Sequence, residues 1–422
     1  MTTKVLYVCT RPPFPKIGGR EHMIAQSLEF LAVEFDVHVV CFHGKNETVD
    51  KGPVFDLGVS SVCTVVMATP YNVFKNLFFR FGMSIQENLY FSPAVKGRLE
   101  AVLEDIKPDI VVCDMLRTAQ FFYGNELPLV IDLDDILSIR YKKMLQGGAK
   151  YSSLGTFSER IPSTLRWLEA LARKWVIKFE YSRIKKAEKK AIHCADALIL
   201  TSPLEARELN RSNSTKKAVG ISQCVQPTGG ITASGNDLIF IGNMTTAQNL
   251  ASLEFIVDEV LPELELGGLK LKVVGKFDER AVKIAENSES VYLLGFVDNL
   301  SVVVSECRVA LMPVAFGTGV KTKVLDALAM GVPVVTNSIG AEGLSIVHRE
   351  HALIEESGSA LAGCVNDIIA NSFLSESLAK KGRTYVTDHH SFNSLKEKYN
   401  SVIRSLLNVE NSHDRNQSSD VC

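Results

Sequence analysis

Between Phe316 and Val335 the chain reads FGTGVKTKVLDALAMGVPVV, a glycine turn carrying two lysines that runs straight into an apolar helix ended by Gly331 and Pro333. Gly317 and Gly319 permit the positive φ of a tight turn and let the backbone approach a ligand closely. The helix behind them points its unpaired first-turn N–H groups, and the positive end of its dipole, at the same place. Few folds need that order of parts, and it predicts an anion site. Lys321 and Lys323 add two mobile cations. Asp326, one turn later, offers an acceptor suited to sugar hydroxyls rather than phosphate. Together they suggest a sugar bearing a phosphate.

A Gly-x-Gly turn often serves only to connect elements, so its surroundings matter. After the strand VPVVTN comes IGAEGL, Ile339 to Leu344, a second glycine-rich turn with an acid, Glu342, at the carboxyl end of a predicted strand. In open parallel sheets, ligands sit outside those strand ends.

Alternating strand and helix periods run through the chain twice. The first pass opens with KVLYVC (4–9), the loop TRPPFPKIGGRE, a helix from about Glu21 to Glu34 and the strand VHVVCF. Strands follow at SVCTVVM, DIVVCD and LPLVIDL, with a helix over about Pro93 to Ile106, and ALILTS (197–202) reads as the last strand of this half. The second pass opens with DLIFIGN (237–243), continues through a helix to about Pro262, and adds LKLKVVG, SVYLLGF and VALMPV before the glycine-lysine turn. The pattern predicts an α/β chain of two doubly wound Rossmann-like domains facing across a cleft. A length of 422 residues, more than one core usually spans, agrees with two domains. The boundaries expected are a first domain over 1–209, a Ser, Thr, Gly and Asn-rich linker over 210–236, a second domain over 237–390, a helix over 391–409 and a polar, disordered tail over 410–422.

Hydrophobic residues make up 46% and charged residues 22% of the chain, ordinary values for a globular enzyme. No run reaches the roughly 18 apolar residues of a membrane span, and MTTKVLYVCT lacks the features of a secretion signal, so a cytoplasmic location is expected. Nine cysteines are scattered without metal-ligand spacing and read as reduced and mostly buried. Histidines such as His22 and His193 read as packed or exposed rather than catalytic.

These residues carry a resemblance. LIFIGNM with Asn249, LASLEFIVDEVLPEL, LKVVG, LLGFVDNL, LMPVAFGTGVKTKVLDALAMGVPVVTN and GAEGL are similar, in the same order, to the donor domain of the group 1 glycosyltransferases of GT-B architecture. KVLYVCTRPPFPKIGG, VIDLDD and CADALILTSPLEAREL resemble that family's acceptor domain, so the likeness spans roughly 4 to 390. It implies a retaining transferase that uses a nucleotide sugar and needs no metal or other cofactor. It implies that Gly317, Thr318, Gly319, Val320 and Lys321 to Lys323 hold the donor pyrophosphate, with Asp326 where the family has a glutamate on the ribose. Gly18 and Gly19 match a first-domain loop whose backbone meets the donor phosphate, and Arg20 could add charge there. Gly242 and Asn243 match the loop that opens the donor domain, while Phe296 and Val297 match the segment that meets the base. Glu342 belongs to the second glycine turn of the same site.

The departures are as informative. Many members carry two glutamates eight positions apart, where this chain has Thr318 and Asp326. Many also carry an Arg and a Lys where Asn243 and Gln248 stand, so phosphate charge should rest on Lys321 and Lys323. A histidine is common where VIDLDD places Asp134, which forms an acidic cluster with Asp132 and Asp135. Such acids often cap a following turn. Read functionally, three close carboxylates raise at least one pKa, and Asp134 is the residue by position to face an acceptor hydroxyl or sugar.

Arg160 to Lys190 holds ten Lys or Arg against three Glu, with Trp167, Trp175, Phe179 and Tyr181 interleaved. It reads as a basic amphipathic helix, either one whose apolar stripe is simply core or one suited to an anionic membrane surface. Tyr71 to Phe91 is a second apolar and basic patch. Together they fit a glycan or lipid-linked acceptor and peripheral contact with the cytoplasmic membrane face. A net charge of −2 and the absence of any nucleic-acid motif argue against a nucleic acid partner. The sequence reading is thus a glycosyltransferase with Asp134, Lys321 and Lys323 in catalytic roles. The alternatives are a sugar-nucleotide epimerase on the same fold and a non-catalytic membrane-associated scaffold.

Overall fold

The computed structural model describes residues 2–16, 19–146, 166–225, 235–265, 268–317 and 319–417. The chain divides into two units, the first made of Met1–Leu200, Glu205–Ile221 and Lys396–Cys422, the second of Thr201–Leu204 and Ser222–Leu395.

In the first unit, strands β1 (Lys4–Cys9), β2 (Asp36–His43), β3 (Ser61–Val66), β4 (Ile110–Asp114), β5 (Leu129–Asp134), β6 (Ala197–Leu200) and β7 (Ala218–Gly220) form one sheet in the order β3-β2-β1-β4-β5-β6-β7. Every pairing is parallel. Parallel strands covered by helices on both faces bury nearly all their residues; accordingly Val5 to Cys9 are fully buried. The strand order reverses between β1 and β4, and this switch point is where open sheets of this kind leave room for a ligand. Local chemistry sets the helices: Ser92 caps Pro93–Ile106 by accepting from Val95 N at 3.2 Å, with proline in the first turn, where its missing donor costs nothing.

The second unit repeats the plan. Strands β8 (Asp237–Ile241), β9 (Leu271–Val274), β10 (Val291–Gly295), β11 (Cys307–Leu311), β12 (Val334–Thr336) and β13 (Leu353–Ile354) run parallel in the order β10-β9-β8-β11-β12-β13. Its switch point lies between β8 and β11. The helix expected to reach Pro262 runs as Ala247–Phe255, widens into a π turn over Ile256–Val260 and closes with a 3₁₀ turn at Leu261–Glu263.

Two boundaries differ from those read in the sequence. The segment 210–236 contains strand β7, so ALILTS is not the last strand of its half. Three residues are too few to show alternation, and the side chain of Asn210 fastens β7 by bonding both the N–H and the carbonyl of Ala218. The last helix spans Phe392–Gln417, running past 409 into the stretch expected to be disordered. Extending a helix already formed costs far less than nucleating one, so polar residues can follow an apolar stretch in it. That apolar stretch packs Tyr399 against Phe30 in the first unit, with Asn400 Nδ2 donating to the Phe30 carbonyl at 2.9 Å. The basic helix spans Arg166–Cys194, and residues 160–165 lie outside the described ones.

Candidate functional site

The second unit brings most of the predicted donor residues to the carboxyl ends of β8 and β11. Beyond β11 the chain is held by three side chains from other elements. Asn337, after β12, accepts from Val314 N at 3.1 Å and donates to the Val314 carbonyl at 2.9 Å. Ser252 accepts from Ala315 N at 3.1 Å, and the Gln248 amide donates to the Phe316 carbonyl. Thus fixed, the loop turns at Gly317 (φ 135°) and Gly319 (φ 78°), backbone regions that side chains disfavour. A Cβ on Gly317 would also lie 2.5 Å from Gln248 Nε2. Thr318 is outside the described residues.

The helix Thr322–Met330 starts directly after this turn, and Gly331, at φ 75°, ends it in the left-handed conformation. Its N-cap is Lys321, whose side chain makes no capping bond. Lys321 Nζ instead donates to the Gly319 carbonyl at 2.7 Å and stands 3.8 Å from Glu342 Oε2. The helix thus starts directly behind the glycine loop with no side-chain cap from Lys321, a helix end suited to an anion. Lys323 Nζ donates to Asn249 Oδ1 at 3.1 Å and lies 4.5 Å from the Phe240 ring centroid. Burial, then the Lys321 charge, lowers its pKa to about 8. Asp326 is raised to about 6 by burial.

Gly242 and Asn243 close the site from β8. Asn249 Nδ2 donates to the Asn243 carbonyl at 3.0 Å, which links Lys323 through Asn249 to this loop. A Cβ at Gly242 would come within 2.8 Å of that amide, and one at Gly275 would overlap the Gly242 carbonyl oxygen at 1.9 Å. Gly275 lets the loops after β8 and β9 touch, while Gly242 leaves room for the Asn249 amide. Val320 packs beneath the second glycine turn, where a Cβ at Gly343 would lie 3.1 Å from Val320 Cγ2. Phe296 and Val297 stand apart from this cluster, after edge strand β10, with Phe296 79% exposed. Asn337, Ser252 and Phe240 were not among the predicted residues; only Asn337, polar and directly after a strand, left a turn signal in the sequence.

In the first unit the acidic residues gather at the ends of β4 and β5, close to the β1/β4 switch point. Arg20, in the first turn of helix Gly19–Ala32, donates through Nε to Asp114 Oδ1 at 2.7 Å. Its other nitrogens lie 3.3 Å from Asp132 and 3.5 Å from Asp134. Sequence reading placed Arg20 beside a phosphate; the structure places its guanidinium, 8% exposed, among three carboxylates. Asp114, which that reading passed over, also accepts from Thr10 N at 2.7 Å. Burial pushes Asp114 up, but Arg20 and Thr10 more than offset this and hold it below the usual carboxylate range. Asp132 is raised to about 6 by burial, with Arg20 opposing and Asp114 and Asp134 adding to the shift. Asp134 adopts φ 66° and is the most exposed of the three, with 27% of its side chain accessible. Asp135 turns to Arg140 instead. Gly19 opens the helix with no atom near its Cβ position, and Gly18 lies outside the described residues. Among the described residues, no cluster of His, Cys, Asp or Glu is arranged to hold a metal ion.

Two parallel α/β units of this form, the second with a helix start at its switch point that its N-cap side chain leaves uncapped, define the GT-B glycosyltransferase fold. Residues 235–371 match the family model of the group 1 glycosyl transferases. The chain resembles Anabaena HepE in complex with UDP and glucose, at 12% identity over 96% of this chain and 100% of that one, TM-score 0.62. Sucrose-phosphate synthase from Thermosynechococcus elongatus aligns at 14% identity over 96% and 100%, TM-score 0.63. The lipopolysaccharide outer core galactosyltransferase WaaB aligns at 12% over 96% and 99%, TM-score 0.62. At these identities the likeness is one of fold. By sequence, no curated protein matches the chain.

Proposed function

We infer that this protein transfers a sugar, with retention, from a nucleotide-sugar donor to a hydroxyl of a growing glycan, either a polysaccharide or a lipid-linked acceptor. The observation that carries the reading is the uncapped start of helix Thr322–Met330, faced by the Gly317–Gly319 turn and flanked by Lys321 and Lys323, within the segment that matches the family. A donor diphosphate would accept from the first-turn N–H groups and meet both ammonium groups. As the glycosidic bond to the donor breaks, negative charge grows on the leaving phosphate, and these fixed donors stabilise it. The leaving phosphate can take the acceptor proton on the same face, so no protein nucleophile is required. Asp134, the accessible acid of its cluster, is assigned to the acceptor hydroxyl or the transferred sugar. Asp326 is assigned to the nucleotide ribose, and the backbone at Phe296 and Val297 to the base. The reaction is read as independent of metal, so activity should survive EDTA.

A panel of nucleotide sugars differing in base and sugar tests this reading. One of them should raise the thermal unfolding midpoint, since a ligand at 100 times its dissociation constant adds about 2.7 kcal/mol, and should be consumed when a hydroxylated acceptor is supplied. Lys321→Ala and Lys323→Ala proteins that keep full donor affinity and transfer activity would overturn the phosphate assignment.

A further inference from the structure

In the first unit the helix Pro70–Phe79 leaves Tyr71, Phe74, Phe78 and Phe79 between 74% and 76% exposed, and Phe81 follows at 62%. Trp175, on helix Arg166–Cys194, is 74% exposed. Single exposed apolar residues are ordinary, but a run of large aromatics on one surface marks an interaction site. The two helices share a seam. The Phe81 ring meets the Phe179 ring edge-on at 5.1 Å, and Arg183 lies over both rings while its Nε donates to the Phe81 carbonyl at 2.7 Å.

Charge is sorted across this seam by depth. Both acids of the stretch Trp175–Cys194 point inward: Glu180 accepts from Ile85 N at 2.7 Å and Glu188 from Ser138 N at 2.9 Å, each buried at the start of a neighbouring helix. Lys178, Lys185, Lys186 and Lys189 are exposed. From Pro70 to Gln86 there is no acid at all, while Lys75 and Arg80 are present. Among the described side chains of these two stretches, the outward face therefore carries aromatics and cations but no acid. Rings that enter a headgroup layer and lysines that reach phosphate from its edge are the pairing an anionic lipid surface selects.

We propose that this face docks the protein on an anionic lipid bilayer, the rings of Phe74, Phe78, Phe79 and Trp175 entering the headgroup region and the lysines meeting lipid phosphates. Docking is independent of donor chemistry and holds whether or not the transferase reading does. The test is co-sedimentation of the full chain with vesicles of equal parts phosphatidylglycerol and phosphatidylcholine. Binding is expected to these, not to pure phosphatidylcholine, and should weaken with salt. Each cation near such a surface contributes about fivefold in affinity, so the pair Lys178→Glu and Lys185→Glu should reduce binding at least about 25-fold. The triple variant Phe74→Ser, Phe78→Ser, Phe79→Ser should abolish it with an unchanged unfolding midpoint, these rings having little packing to lose. Phe373→Ser, which removes an 80% exposed ring from the second unit, should change nothing. Equal binding to neutral vesicles, or equal loss in the Phe373 variant, would overturn the proposal. So would a chain that ignores vesicles but self-associates through these same phenylalanines.

Discussion

Lys323 donates its Nζ to Asn249 Oδ1 at 3.1 Å, and Asn249 in turn holds the Asn243 carbonyl. The cation is thereby aimed across the mouth of the glycine loop by a neutral amide rather than a carboxylate. Hydrogen bonds to charged groups contribute about 1.5–3 kcal/mol, so Lys323→Ala and Lys321→Ala should each weaken donor binding roughly 10- to 100-fold. Lys323→Arg should fall between, since its planar fork fits the pocket differently. Calorimetric titration with the donor measures this. Removing the largely buried Lys323 charge should leave the unfolding midpoint unchanged or slightly raised.

The pH dependence follows from the same lysine. Its folded pKa of about 8 lies below the ordinary 10.5, so between those values the unfolded chain binds more protons and stability rises with pH. A bound diphosphate favours the charged form, so donor binding at about pH 8.5, where the free lysine is partly neutral, should take up a proton. Binding enthalpy measured in buffers of different ionisation enthalpy should then differ by a fraction of a proton's worth. Enthalpies independent of buffer would place the diphosphate away from Lys323.

Asp326 should separate stability from binding. Its pKa of about 6 exceeds the ordinary 3.8, so stability associated with it is present at low pH and lost as pH rises through this range. Asp326→Asn is expected to stabilise the chain at neutral pH by about 1–2 kcal/mol while weakening donor binding through the lost carboxylate. Thermal unfolding at pH 4 and pH 7.5 checks the first half: the gain should vanish at the lower pH. A variant less stable at both would show that the carboxylate has a structural partner.

Arg20 neutralises a buried cluster, and removing one partner of such a cluster leaves uncompensated charge. Arg20→Ala should cost roughly 3–5 kcal/mol of first-unit stability, and the added substitution Asp114→Asn should recover part of it. Denaturant unfolding, followed through signals from both units, measures the loss. Donor affinity, measured where both units remain folded, should change less than about threefold, below the cost expected for one charged hydrogen bond. A loss matching that of Lys323→Ala would return Arg20 to the phosphate.

Several parts of this molecule follow from local sequence. Strands such as KVLYVC and DLIFIG are continuous apolar runs because a parallel sheet buries both faces. The turn at Gly317 and Gly319, the stop at Gly331 and the cap of helix Pro93–Ile106 rest on backbone preferences that neighbouring residues express by themselves. Hence two doubly wound units and a helix that starts directly behind a glycine turn are legible in the residues alone. What local pattern does not encode is pairing between distant groups. β7 is too short to show a period and exists because Asn210 and β6 satisfy its backbone. The charge on Arg20 looks available for a phosphate in sequence, yet Asp114 and Asp132, 94 and 112 residues away, claim it. Glu180 and Glu188 look like relief for a basic helix, yet they turn inward to backbone N–H groups and leave the exposed lysines of Trp175–Cys194 without them. Sequence determined where the chain can turn and which faces can be buried, since those are properties of adjacent residues; the tertiary structure alone decided which charges remain exposed, because a charge is cancelled by whatever folding brings within a few ångströms of it.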